Sequence, residues 1–531
     1  MVQAGVLAAP LATSRLLLPV LLVLIGAAVA PIFSVQVPPL EDYINHLARM
    51  YVLTNGDRDP LVAKFYGIEW AVIPNLVMDL VVPLFSQWVN IYTAGQLFIV
   101  LTLALLVTGS FAVHYAIHRR WSAWPLVSFL LLYNNILLFG FMNYLFGLGV
   151  ALWGVAVWVL LRPQRSWMRA ATSTAFVLIL FTCHLFDVGV YGMGLLCYEA
   201  WILRNRRQAE GRLTRSTLIW DSLAFGLPFV PLIPLMMISP TTGLATENYW
   251  DPTGKLDGLY YIFQNYSDIF DLSLTALVVG AIIWAAKARI IALHAVGWYL
   301  LGLGLVVYMA MPRMFFGSWV ADQRLPIALA FLTIGFVSFK DDSRWARYFL
   351  YVFVLGVACA RFVSVFLVWQ QIDHAYADFR QSVAMIEPGS TILVANADDP
   401  TGSDAFNMPL SHAACMAIIE RSSLVSTAFS VAGKQILSVN PKYRDRVDTE
   451  DGDPPTVSQL VAAANQDRDA TPDHDGAGAS DYYWSHWTEQ FDYVYILYTD
   501  GTANPAPDLL TRVYDGRRFQ LYKVNQAAEE D

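Results

Sequence analysis

The chain has 531 residues, of which 56% are hydrophobic and only 15% charged, and its mean hydropathy is +0.45. That balance is too apolar for a water-soluble protein of this length and marks an integral membrane protein. A formal charge of −9 leaves no basic field for nucleic acid, and the scattered Cys183, Cys197, Cys359 and Cys415 suggest neither a disulfide framework nor a zinc site.

A bilayer crossing takes about 20 apolar residues, fewer where a segment is buried among others. Eleven candidate runs follow in order, at 15–35, 92–117, 122–139, 143–161, 170–186, 188–203, 217–238, 271–286, 290–311, 325–339 and 345–369. The first ends Ala28-Val29-Ala30, which resembles a signal-peptidase site, but its apolar run is long for a signal peptide and reads as an uncleaved helix. With the N-terminus inside, Arg15, Arg119, Arg120, Arg162, Arg165, Arg169, the arginines from Arg204 to Arg215, Lys287, Arg289, Lys340, Arg344 and Arg347 all fall on the inner side. The outer loops hold only Arg49, Arg58, Lys64, Lys255, Arg313 and Arg324. Basic residues are retained inside, so this asymmetry sets the orientation. An odd number of spans then carries the tail out of the cytoplasm, to the periplasm of a bacterial inner membrane.

The expected fold is therefore a polytopic α-helical membrane domain over 1–370, with a first outer loop at 36–91 and a periplasmic α/β domain over 371–531. In that tail, Thr391-Ile392-Leu393-Val394, Phe491 to Tyr498 and Phe519-Gln520-Leu521-Tyr522 are β-branched and aromatic runs bounded by turn formers, and predict strands; His412 to Arg421 predicts a helix. The stretch 440–480 is rich in Asp, Pro, Ala and Gly and reads as a mobile loop. No internal repeat is visible, and no phosphate-cradling glycine loop.

The first outer loop carries the most informative stretch, Pro38-Pro39-Leu40-Glu41-Asp42-Tyr43-Ile44-Asn45-His46-Leu47-Ala48-Arg49. At 100° per residue Leu40, Ile44, Leu47 and Tyr51 share one face, and Asp42, Asn45, His46 and Arg49 the opposite one. This predicts a helix lying on the membrane surface. The acids suit a helix start just after prolines, so on local sequence alone they read first as helix-start residues above a wet polar face.

An acidic pair directly after the first membrane helix, on a juxtamembrane helix, followed by many spans and an α/β tail, resembles the GT-C glycosyltransferase superfamily, and in it the bacterial protein O-mannosyltransferase and lipid A aminoarabinose-transferase relatives. The segments Phe139-Gly140-Phe141-Met142-Asn143-Tyr144 and Trp319-Val320-Ala321-Asp322-Gln323-Arg324-Leu325-Pro326 add to the likeness. The resemblance implies inverting transfer from a polyprenyl-phosphate-linked sugar to an extracytoplasmic hydroxyl or amine, with membrane lipid as surroundings. A first-loop carboxylate would take the acceptor's proton as general base, mapping onto Asp42 or Glu41, with Asp42 favoured because it shares the polar face with His46 and Arg49. A leaving phosphate calls for cationic partners, and Arg313 and Arg324 are candidates, equally readable as interface anchors. His46, Arg49, Lys64, His184 and Asp187 complete the candidate substrate-binding set; the last two, at i and i+3, also read as a buried hydrogen-bonded pair.

Glu41, Asp42 and His46 could offer ligands to Mg²⁺ or Mn²⁺, though no spacing demands a metal. Asn134, Asn135 and Asn143 read as turn residues or sugar contacts, and the aromatic-rich loop Ser239 to Asp271 as sugar-stacking or interfacial. Two other functions share these features: a transporter or flippase of a lipid-linked glycan, which usually shows two related halves not found here, and a non-catalytic envelope-glycan assembly partner.

Overall fold

The computed structural model describes residues 16–211, 215–244, 248–340, 343–448, 454–469 and 482–525. Arg15, Arg212 and two parts of the expected mobile loop, 449–453 and 470–480, lie outside them. Among the described residues eight helices are long and apolar enough to cross a membrane: Leu17–Ser34, Ile91–His118, Met142–Leu160, Ser166–Cys183, Leu185–Ala209, Ile219–Ile238, Asp268–Lys287 and Arg344–Val383. Each corresponds to an expected span. Their local logic is ordinary: Asn90 caps Ile91–His118 by accepting from the Thr93 N–H at 3.0 Å, and Arg119 ends it in a left-handed turn. Pro228 and Pro231 break the Ile219–Ile238 span into short pieces, as ring sterics and missing donors require.

The other three expected spans are shorter. Ala295–Ala310 and Leu325–Phe336 are helices of 16 and 12 residues. The run 122–139 becomes an eight-residue 3-10 helix, Trp124–Leu131, and a single turn, Asn135–Leu138. At a rise of about 2 Å per residue the 3-10 segment covers only about 16 Å. Leu126, Phe129, Ile136 and Leu137 are fully or almost fully buried, so protein packing accounts for much of this run's apolar character.

The expected boundary at 370 falls inside a continuous 40-residue helix, Arg344–Val383, which at 1.5 Å per residue is about 60 Å long. Its last turns belong to the tail: the Phe379 ring lies 4.6 Å from that of Tyr495 and 4.2 Å from that of Phe519. The tail is α/β. Its five-stranded sheet runs Leu424–Val425, Thr391–Asn396, Tyr493–Leu497, Phe519–Val524, Leu510–Gly516, the first three parallel and the last two antiparallel. Within 440–480, expected as a loop, Pro441–Arg446 forms a 3-10 helix and Val457–Asp469 an α-helix whose Leu460 and Ala464 pack on the sheet.

The first loop and the tail share structure. Strand Tyr66–Ile68 pairs antiparallel with Leu437–Val439, Tyr66 opposite Val439 and Ile68 opposite Leu437. The juxtamembrane helix is Tyr43–Asn55, and its polar face is not wet: Asn45 is 0%, His46 7% and Arg49 1% exposed. The tail covers that face, which an amphipathic pattern alone cannot distinguish from water. Asp42 holds the N-cap position, yet its carboxylate caps no backbone N–H, so the helix start does not occupy it.

The acidic pair is held by the turn that precedes Met142–Leu160. The Glu41 N–H donates to the Leu138 carbonyl at 2.8 Å and the Asp42 N–H to that of Phe139 at 3.1 Å. Gly140 makes this approach possible: its φ is +85°, and a Cβ there would meet the Asp42 nitrogen at 2.9 Å. A Gly140→Ala substitution is expected to cost about 1–3 kcal/mol in backbone strain before the clash is counted. Thermal unfolding in detergent should show a clear loss for Gly140→Ala and none for Gly280→Ala, a helical control with open space around it; equal melting of the two would refute this role.

Candidate active-site cavity

A cavity of about 1260 Å³ opens where the first loop, the ends of several spans and the tail meet. Glu41, Asp42, His46, His184, Arg324 and, from the tail, His412 line its polar part. Val190, Met193 and Leu196 of one span and Leu303 and Val307 of Ala295–Ala310 line an apolar part that runs along the bundle. Of the residues expected in the site, five thus share one space.

Arg49 stands behind this wall. Its Nε and Nη2 grip Asp79 at 2.7 and 3.1 Å, and its Nη1 donates to His46 Nδ1 at 3.1 Å and to Gln435 of the tail. Arginine only donates, so His46 accepts through Nδ1 and its own proton sits on Nε2. Asn143 is a loop anchor: its Oδ1 accepts from the Met78 N–H at 2.8 Å and its Nδ2 donates to the Asn75 carbonyl at 2.9 Å. That fixes Asn75, at φ 83°, in the cavity lining.

Arg324 projects into the cavity from the turn Asp322–Arg324, with Phe141 4.1 Å below its guanidinium. Its Nη2 donates to the Trp319 carbonyl at 2.9 Å, and its Nη1 points at His184 Nε2, also at 2.9 Å. His184 is the N-cap of the next span and accepts the Phe186 N–H through Nδ1 at 3.1 Å. Both imidazole nitrogens thus face donors, although a neutral ring must carry one N–H itself. Asp187 is fully buried one turn on, and neither of its oxygens has a hydrogen-bond partner. Gly147 on the facing helix makes room for it, since a Cβ there would come within 2.0 Å of Oδ2.

Two candidates stand elsewhere. Arg313 is not in the lining: it pairs with Asp251 at 2.7 Å and lies behind Trp319, a lining residue, over whose ring it stacks, and Lys64 reaches the Gly389 carbonyl at 3.2 Å from an exposed position. Asp322 is taken by Lys255, whose Nζ lies 2.6 Å from Oδ2 in a buried pair. Sequence reasoning missed Asp79, Gln435 and His412. Their partners are 30 and 386 positions away for Arg49, and 367 for Asn45 with His412, so no local spacing could have found them.

Electrostatics separate the two acids' surroundings. Burial, and then the neighbouring charge of Asp42, holds the Glu41 carboxyl well above the usual range, favouring its neutral form. Burial first, then Arg49 and His412, pushes His46 well below the normal imidazole value, and burial brings His412 down to about 4. Among the described residues no group of three or more His, Cys, Asp or Glu side chains is arranged to hold a metal ion, and His46 already spends Nδ1 on Arg49, so Glu41, Asp42 and His46 do not fit one.

The lowered histidines carry a stability signature. Below pH 6.5 the unfolded chain takes up protons that folded His46 and His412 refuse, so stability is full above that value and falls as pH drops towards 4. Melting temperatures across pH 4–7 should show this slope, and His412→Gln should flatten part of it; an unchanged slope would contradict the assignment.

No family model and no curated protein matches the sequence. Among solved structures, the crystal structure of ArnT from Cupriavidus metallidurans bound to undecaprenyl phosphate matches over 98% of this chain and 99% of its own, with TM-score 0.53 at 10% identity. At that identity the likeness is one of architecture. The chain is thus a multi-pass membrane protein with the fold of that structure.

Proposed function

We propose that the chain is a glycosyltransferase of a bacterial inner membrane, which moves a sugar, with inversion, from a polyprenyl-phosphate donor to an acceptor outside the cytoplasm. One observation carries the reading: a single cavity brings together the Asp42 carboxylate, a guanidinium facing an imidazole, and an apolar wall along the bundle. The ArnT structure, which shares the fold, holds undecaprenyl phosphate.

The parts divide as follows. The apolar wall between Val190 to Leu196 and Leu303 to Val307 takes the prenyl chain, whose methylenes gain by leaving water. Arg324 and His184 take the phosphate. Each now points a nitrogen at the other with donors on both sides of the ring, and an anion between them would accept from both and remove that conflict. Asp42 accepts the proton of the attacking hydroxyl or amine as the new bond to the anomeric carbon forms. The bond from that carbon to the phosphate oxygen breaks, its electron pair leaves on the phosphate, and Arg324 stabilises the charge. Burial and the neighbouring Asp42 raise the Glu41 carboxyl and favour its neutral form, which makes it the poorer base of the two acids. The tail, with Phe429, Gln435 and Tyr498 in the lining, forms the acceptor side, and it lies in the periplasm.

The test uses full-length protein in lipid nanodiscs with a panel of synthetic undecaprenyl-phosphate-linked hexoses and aminopentoses and an envelope extract as acceptor, reading released undecaprenyl phosphate by mass spectrometry. Asp42→Asn should lower turnover by about 100- to 10,000-fold with undecaprenyl phosphate binding retained, whereas Glu41→Gln should keep most of it, since Gln mimics a neutral acid. Full activity in Asp42→Asn would overturn the assignment. Arg324→Ala should weaken donor use about 10- to 100-fold, the worth of a charged hydrogen bond, and Lys should restore only part because it lacks the planar fork. Unchanged donor kinetics in Arg324→Ala would move the phosphate elsewhere.

A further inference from the structure

His412 belongs to the tail, yet its ring lines the cavity beside Asp42. Its surroundings fix where its proton is. Asn45, fully buried on the juxtamembrane helix, accepts the Phe429 N–H through Oδ1 at 2.9 Å and donates through Nδ2 to the Thr427 carbonyl at 2.8 Å. Those two backbone groups cannot exchange roles, so the amide has one orientation. The same Nδ2 stands 3.2 Å from His412 Nδ1. Nδ1 is therefore an acceptor, and a neutral ring carries its proton on Nε2. Burial keeps the ring neutral at physiological pH. Phe429 meets it edge-on, centroids 4.7 Å apart at 68°, which holds its plane. Nε2 then lies 3.6 Å from Asp42 Oδ1.

We propose that His412 is a positioning residue for Asp42, its Nε2–H aimed at Oδ1 so that the other carboxylate oxygen faces the acceptor. The inference rests on the glycosyl-transfer reading above. It excludes His412 as the base, because the nitrogen turned towards the cavity has no lone pair to offer. The present 3.6 Å is longer than a hydrogen bond; catalytic contacts of this kind tighten when the substrate complex forms. Asn45 sets the tautomer and His412 transmits it, so the first loop addresses its own neighbour, Asp42, through a ring that the tail supplies.

Two measurements test this on the full-length protein in nanodiscs. With an undecaprenyl-phosphate sugar that the wild type turns over, His412→Leu should lower kcat about 10- to 100-fold, the effect of an ångström-scale misplacement, with donor KM and melting temperature little changed. His412→Gln, whose amide N–H can stand where Nε2–H stands, should recover most of kcat. Independently of activity, the histidine ¹⁵N signals lost in His412→Gln should be those of a neutral Nε2–H ring at pH 7. Unaltered kcat in His412→Leu, a joint collapse of kcat, KM and folding, a Gln variant no better than Leu, or an Nδ1–H signal would each overturn the proposal. A wild type that releases no polyprenyl phosphate from any donor but shows the Nε2–H signal would instead refute the transfer reading and leave the tautomer assignment standing.

Discussion

The ion pair of Arg49 with Asp79, both about 1% exposed, is the contact on which the rest of the structure depends. Removing two charges from water costs several kcal/mol per ion, and their attraction offsets this only when every remaining donor is also placed. Here the remaining Nη1 hydrogens go to His46 and Gln435. Arg49 comes from the juxtamembrane helix, Asp79 from the later helix Val77–Ser86 and Gln435 from the tail, so one guanidinium ties three separate segments into the back wall of the cavity. Lifting the tail would uncover the pair, open the shared strand ladder and remove one side of the cavity together. Docking and site formation are therefore one event.

The same burial gives the cavity its chemical asymmetry. Glu41 and Asp42 are neighbours in sequence and identical in kind, and their surroundings differ. Lost hydration and its neighbour's charge raise the Glu41 carboxyl and favour its neutral form, while Asp42 faces the cavity with His412 Nε2 3.6 Å from its Oδ1. Two acids side by side cannot both be charged without mutual repulsion, and burying one resolves it. The lining of His46 and His412 adds neutral rings rather than cations, so its positive charge comes from Arg324 and, from the tail, Lys434.

Much of this was legible in the sequence, and the reasons are specific. All eight long spans could be read from apolar length, because lipid demands about 20 residues whatever the context. The run 122–139 was legible as apolar but not as a short 3-10 helix and a single turn packed within the protein, because buried and lipid-facing segments are equally apolar. The acidic pair stood out by position, and the Gly140 turn beside it by likeness. The polar face of Tyr43–Asn55 was visible but not what covers it, since Asn45, His46 and Arg49 look the same beneath a folded tail as beneath water. His412 and Asp79 left no local mark at all: their roles exist only through contacts with partners far along the chain.

The strand pair joining Tyr66–Ile68 to Leu437–Val439 has a consequence for biogenesis. At about 5–20 residues per second the ribosome takes roughly 20 to 75 s to make the intervening chain. Throughout that interval the first loop has a bare strand edge, an unmatched Arg49 hydrogen and a half-walled cavity. The cavity around the acid pair is thus not complete until synthesis is nearly finished, and a truncated product would display an unpaired edge that quality-control proteases can recognise.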